Sequence, residues 1–65
     1  MAIYDIGETV VYRGADGSES VGIIDSVVEP LTDTASAAYE VQDIKTGHMI
    51  HIYETRILGI NDYHF

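Results

Sequence analysis

The sequence contains no cysteine, and it has only three lysines and arginines among its 65 residues. The absence of thiols excludes disulfides, thiolate zinc sites and cysteine nucleophiles. A chain this short buries only about 60% of the surface that its unfolded form exposes, so its core is marginal without a metal, a disulfide or oligomerisation. Self-association or incorporation into a larger assembly is therefore favoured.

Long hydrophobic runs are also missing. The longest apolar stretch is a few residues, far short of the length that crosses a bilayer. The opening "MAIYDIGETVV" has no basic region followed by an apolar run, as a signal peptide would have. We therefore expect a cytoplasmic location, or one within a larger assembly such as a virion, and no membrane contact.

Acidic residues dominate the charge. Eleven aspartates and glutamates give a formal net charge of −8. A field of this sign repels phosphate backbones, and three cations are too few for the contacts that drive nucleic-acid binding. We therefore expect no direct binding to nucleic acid. The acidic excess instead favours a role in solubility or a basic protein partner.

The dominant hydrophobic period is two, which is typical of strands, and no segment shows a useful helical stripe. Asp16-Gly17 and "KTG" (45–47) are turn signals, while Gly22 inside a long strand predicts a bend or bulge. We predict an all-β fold, a single five-stranded barrel with one short helical turn before the last strand. The predicted strands are 8–13, 19–29, 38–44, 48–54 and 58–60, with the turn at 54–57.

The barrel is expected to span residues 1–60, with 61–65 forming an aromatic C-terminal tail. Alternation along the strands selects the side chains that point inward. The predicted core consists of Ile6, Val10, Tyr12, Ile24, Val28, Tyr39, Val41, Ile50, Ile52, Ile57 and Ile60.

Four short motifs occur in the order found in one group of small barrels. They are the opening strand "IGETVVY" (6–12), the kinked strand "GII" (22–24), the central "YEV" (39–41) and the single turn "ETRI" (54–57). In this order they resemble an SH3-like small β-barrel of the Tudor or KOW kind. The resemblance implies a binding module that holds peptides, modified side chains, nucleic acid or neighbouring subunits.

The stretch "GHMIHIYE" (47–54) contains two histidines, which raises the question of a metal site. On a strand, His48 and His51 are an odd number of residues apart and so point to opposite faces. We therefore expect no metal site and no cofactor. There is also no phosphate-cradling glycine loop, no nucleophile motif and no distinct carboxylate pair, so the chain is not expected to be an enzyme.

The same strand indicates a protein-binding face. If Ile50 and Ile52 point inward, then Met49, His51 and Tyr53 form an outward row that is half apolar, and methionine and tyrosine are typical of interface cores. An equally open alternative is that this row packs beneath the 30–38 loop or the tail.

The tail "NDYHF" (61–65) ends in aromatic residues, which are rare in disordered tails. Tyr63 and Phe65 are therefore predicted to dock, either on their own barrel or on a neighbouring subunit. They complete the predicted protein-binding set.

These features predict a non-enzymatic, acidic protein-interaction module, of the kind found among viral or mobile-element accessory proteins as a virion component or an inhibitor of a host protein. One alternative is a nucleic-acid mimic whose carboxylates occupy the basic groove of a nucleic-acid-binding enzyme. A second is a Tudor-like reader with an aromatic cage of Tyr12, Tyr39 and Tyr53 and with Asp43 as the counter-charge.

Overall fold

The computed structural model describes residues 3–30 and 36–61, and within these ranges the regular structure is one antiparallel sheet with a single 3-10 turn. The strands lie side by side in the order β4-β3-β2-β1-β5. This confirms the predicted all-β class, the number of strands and the turn before the last strand. The elements are β1 (Thr9–Arg13), β2 (Glu19–Val28), β3 (Ala38–Asp43), β4 (Met49–Tyr53), the 3-10 turn (Glu54–Arg56) and β5 (Ile57–Ile60).

The two predicted hairpin turns contain glycines in the left-handed region, which other residues adopt only with strain. Gly17 has φ of 86° after β1, and Gly47 has φ of 76° after β3. In the first turn, Asp16 accepts hydrogen bonds from the backbone and hydroxyl of Ser18. The sequence signals for both turns are confirmed.

The prediction of a bend or bulge at Gly22 is wrong in position. Gly22 pairs regularly with Val10 of β1 and Asp43 of β3, and the shift in β2–β3 register falls between Ile24 and Ser26. Gly22 is needed for close packing instead. A Cβ there would overlap the Val41 side chain and lie 2.9 Å from the carbonyl oxygen of Gln42.

Most of the predicted core is buried, and Ala37 and Ala38 join it. Ile50 is half-buried against the cluster. Three predicted core residues are exposed instead: Ile6, Val28 and Ile60.

Each exposed residue has a structural reason. Ile6 lies in the turn before β1, where strand alternation does not apply, and is 66% exposed. The register shift in β2 changes its alternation, so that Val27, and not Val28, packs against the core. Ile60 ends β5, an edge strand that no further strand covers in the described part of the chain.

Candidate functional site

The outer row of β4 is exposed. Met49 is 50% exposed and Tyr53 is 57% exposed, while Ile52 between them is buried. His51 is also on the exposed side, so the alternation predicted for this strand is present. Residues 31–35 and 62–65 lie outside the described residues, and so do Tyr63 and Phe65, whose docking stays a prediction.

Within residues 3–30 and 36–61, β4 is an edge strand, paired on one side with β3 and on the other side with no further strand. At the two ends of this pairing, the Asp43 N–H donates to the His48 carbonyl and the Glu54 N–H donates to the Ala37 carbonyl, each at 2.9 Å. Hydrogen-bonded pairs alternate along an antiparallel ladder, so the even-numbered residues of β4 direct their backbone groups to β3. The backbone groups of Met49, His51 and Tyr53 therefore point to the open edge.

The His51 imidazole contacts two neighbouring side chains on this row and on β3. Its Nδ1–H donates to the Glu40 carboxylate across the β3–β4 pair at 2.8 Å. Its ring also meets Tyr53 edge to face, with the centroids 5.8 Å apart. These contacts orient the imidazole, so the row presents a defined surface.

A groove with a volume of about 510 Å³ lies beside β4. Its lining consists of residues 50–53 of β4, residues 12–15 at the end of β1, and Arg56 of the 3-10 turn. Arg56 donates to the carbonyl of Gly14 at 3.4 Å, across the groove lining. The open edge of β4 thus borders a concave surface.

Arg13 and Arg56 belong to this site although the strand pattern does not single them out. They are far apart in sequence and follow no spacing rule. The pairing of β1 with β5, in which Tyr12 lies opposite Ile57, brings the end of β1 and the 3-10 turn to one groove. A usable signal was their rarity, because lysine and arginine together number three in the whole chain.

Tyr12, one of the groove-lining residues, forms a buried pair with Asp43. The Tyr12 hydroxyl donates to the Asp43 carboxylate at 2.5 Å, and the other carboxylate oxygen accepts from the backbone N–H groups of Lys45 and Thr46. Burial, together with the bond to Asp43, raises the pKa of Tyr12 to about 12. The bond from Tyr12, with those from Thr46 and Lys45, holds the pKa of Asp43 below its ordinary 3.8.

Tyr39 anchors the amino-terminal segment. Its hydroxyl donates to the Glu54 carboxylate at 2.7 Å and accepts from the backbone N–H groups of Ile3 and Tyr4. Burial, followed by the bond to Glu54, raises the pKa of Tyr39. The hydroxyl groups of the two buried tyrosines therefore connect segments that are distant in the sequence.

These hydrogen bonds bear on the aromatic-cage alternative. Tyr12 is 1% exposed and Tyr39 is 0% exposed, so their ring faces are covered by the core. Asp43, the suggested counter-charge, is buried and already holds three donors. Of the three suggested cage tyrosines, Tyr53 presents its ring to solvent.

The nucleic-acid-mimic alternative requires carboxylates that are free to contact a partner. Many of the acidic side chains instead make contacts within the protein. They accept hydrogen bonds from side chains or the backbone, or lie within ion-pair distance of a cation. The residues of this kind are Glu8, Asp16, Glu19, Glu40, Asp43 and Glu54.

Two further tests of the described residues concern metals and membranes. No three histidine, aspartate or glutamate side chains in residues 3–30 and 36–61 are grouped as a metal ion would require. No helix in those residues is long and apolar enough to span a bilayer.

Comparison with known proteins adds no relative. The chain matches no family model, no curated protein and no solved structure.

Proposed function

We propose that this protein is a non-enzymatic interaction module that binds a protein partner by adding a partner strand to the open edge of β4. The observation that carries the proposal is the edge itself: the backbone groups of Met49, His51 and Tyr53 point outward beside exposed apolar side chains. Exposed edges template strand addition unless lysine, proline or a bulge blunts them, and "MIHIY" has none of these.

We infer further that the five-stranded sheet is an SH3-like barrel of the Tudor or KOW kind. The strand order and the 3-10 turn before β5 support this, as does the position of the motif residues on β1, β2 and β3. Barrels of this kind typically act through binding, which agrees with the module proposed here.

The proposed setting follows from size and charge. A chain of 65 residues with a net charge of −8 suits an acidic accessory protein that works in the cytoplasm or inside a larger assembly such as a virion. The Tyr12 hydroxyl is bonded to the buried Asp43 carboxylate, and the Tyr39 hydroxyl to the partly buried Glu54 carboxylate. These bonds support a structural use of the four groups over a catalytic one.

The experiment compares two substitutions at one position of the edge. His51→Ala and His51→Pro both remove the imidazole, but proline also removes the outward N–H while the ladder to β3 stays intact. Each variant, checked for folding by NMR, is used to capture partners from a lysate of the source organism. The proposal expects His51→Ala to retain partner capture and His51→Pro to lose it.

Tyr53→Ala tests the side-chain row in the same assay, with Leu58→Ala as the matched control because Leu58 is similarly exposed on β5. A chain ending at Asn61 tests the predicted contribution of Tyr63 and Phe65. If folded His51→Pro captures every partner that the wild type captures, strand addition at β4 is wrong.

A further inference from the structure

The groove beside β4 differs in charge from the rest of the molecule. The chain has a net charge of −8, yet two of its three lysines and arginines, Arg13 and Arg56, line this groove. The open edge of β4 and a positive site are therefore adjacent on an otherwise acidic protein.

The two arginines differ in whether a carboxylate lies near the guanidinium group. The Arg13 guanidinium donates to the Gly17 carbonyl at 2.9 Å and lies 3.9 Å from the Glu19 carboxylate. Arg56 meets the Gly14 carbonyl, and no carboxylate among the described residues lies within 4.0 Å of its guanidinium nitrogens. Within the described part of the chain, Arg56 thus has no carboxylate partner, and its guanidinium makes one hydrogen bond, to Gly14.

The ligand that matches these features is a peptide with an acidic side chain. Because side chains alternate between the two faces of a strand, a strand paired with the edge of β4 directs every second side chain to the groove that residues 12–15 and Arg56 line together with β4. A guanidinium binds a carboxylate through two parallel, charge-assisted hydrogen bonds. Tyr53, which is exposed, supplies apolar contact for a neighbouring side chain of the peptide.

We propose that the groove binds an extended peptide segment of a partner protein, with its backbone on the edge of β4 and a glutamate or aspartate side chain on Arg56. This rests on the proposed function and names the partner's chemistry. It departs from the basic partner that overall acidity favours, because recognition depends on the local charge. A second copy of the chain is a poorer occupant, since its own β4 segment, "MIHIY", has no carboxylate to offer.

The test is an NMR titration of the full ¹⁵N-labelled chain with three short capped peptides. One alternates valine and glutamate, the second has glutamine in place of glutamate, and the third has lysine. The glutamate peptide is expected to shift the amides of Met49, His51 and Tyr53 and to bind about tenfold tighter than the glutamine peptide, a difference of about 1.4 kcal/mol.

Arg56→Gln should reduce the preference for glutamate to within about threefold. Lys45→Gln removes the same charge from a residue outside the groove lining, so it should leave the preference intact. High salt should weaken binding of the glutamate peptide and leave binding of the glutamine peptide nearly unchanged, because exposed charge pairs are screened.

Four results would overturn the acidic-peptide inference. Equal binding of the glutamate and glutamine peptides, or tighter binding of the lysine peptide, would remove the acidic partner but leave strand addition at β4 standing. Absence of binding by all three would remove the groove site, and the capture assay with His51→Pro would still decide the proposed function. Light scattering without peptide tests a second copy as the occupant. If the wild type is a dimer and the His51→Pro variant is a monomer, the edge of β4 binds a second copy of the chain.

Discussion

The hydroxyl of Tyr12 donates a 2.5 Å hydrogen bond to the carboxylate of Asp43, a residue 31 positions away. The bond connects β1 to the end of β3, where Asp43 also holds the backbone of the following turn through Lys45 and Thr46. That turn leads directly into β4. The pair therefore couples the packing of the core to the position of the strand that we propose binds a partner.

Removing the Tyr12 hydroxyl should destabilise the protein. Tyr12→Phe keeps the buried ring but removes the hydroxyl that donates to the Asp43 carboxylate, at an expected cost of about 1–2 kcal/mol in the free energy of unfolding. Urea denaturation followed by circular dichroism measures this cost. Tyr53→Phe is the matched control and should change stability by no more than about 0.5 kcal/mol, since its hydroxyl is on an exposed side chain. Equal stability of the two variants would show that the bond is energetically unimportant.

Asp43 should make stability dependent on acidic pH. Its pKa is lower in the folded chain than its ordinary 3.8, so its contribution is fully present above that value and is lost as the pH falls through the lower, folded pKa. Asp43→Asn should flatten the decline in unfolding free energy below about pH 4 relative to the wild type. Denaturation curves between neutral pH and about pH 2 test this.

The control for the pH experiment is Asp25→Asn, which removes an exposed carboxylate from β2. It should retain the acid dependence of the wild type. An unaltered acid dependence in Asp43→Asn would mean that the carboxylate does not gain its bonds on folding.

Gly22 should tolerate no side chain. In Gly22→Ala the new methyl would overlap Val41 and press on the Gln42 carbonyl oxygen, so we expect a loss of about 1–3 kcal/mol from overpacking. Gly14→Ala is the matched control, because its nearest neighbour is the side chain of Asp16 at 3.3 Å, and it should change stability by less than about 1 kcal/mol. Thermal and urea unfolding provide the comparison, and a Gly22→Ala protein as stable as Gly14→Ala would contradict the packing described here.

Local rules were enough to predict the strands and turns. Alternation over "AYEVQD" and "MIHIY" marked Val41 and Ile52 as inward, and Asp16-Gly17 and Gly47 marked the turns, because each of these signals depends on neighbouring residues alone. The same rules failed for Val28, where a register shift between β2 and β3 changes the alternation. A shift of that kind depends on how two strands pair, which a single strand does not record.

The outward row of Met49, His51 and Tyr53 was also predictable, because side-chain direction on a strand has a period of two. The position of β4 at the edge of the sheet was not, since it depends on the order of all five strands. The Tyr12–Asp43 bond and the presence of Arg13 and Arg56 at one groove were likewise not predictable, because they also depend on how distant segments are brought together.

The sequence by itself determined an acidic all-β chain and the two faces of each strand. Composition fixes charge, and the alternation of apolar residues fixes which side chains a strand can bury. Only the tertiary structure decided that β4 has an open edge, that Asp43 is buried beneath Tyr12, and that the scarce arginines border the groove. These are contacts between residues distant in the chain, and they follow from the order and pairing of all five strands.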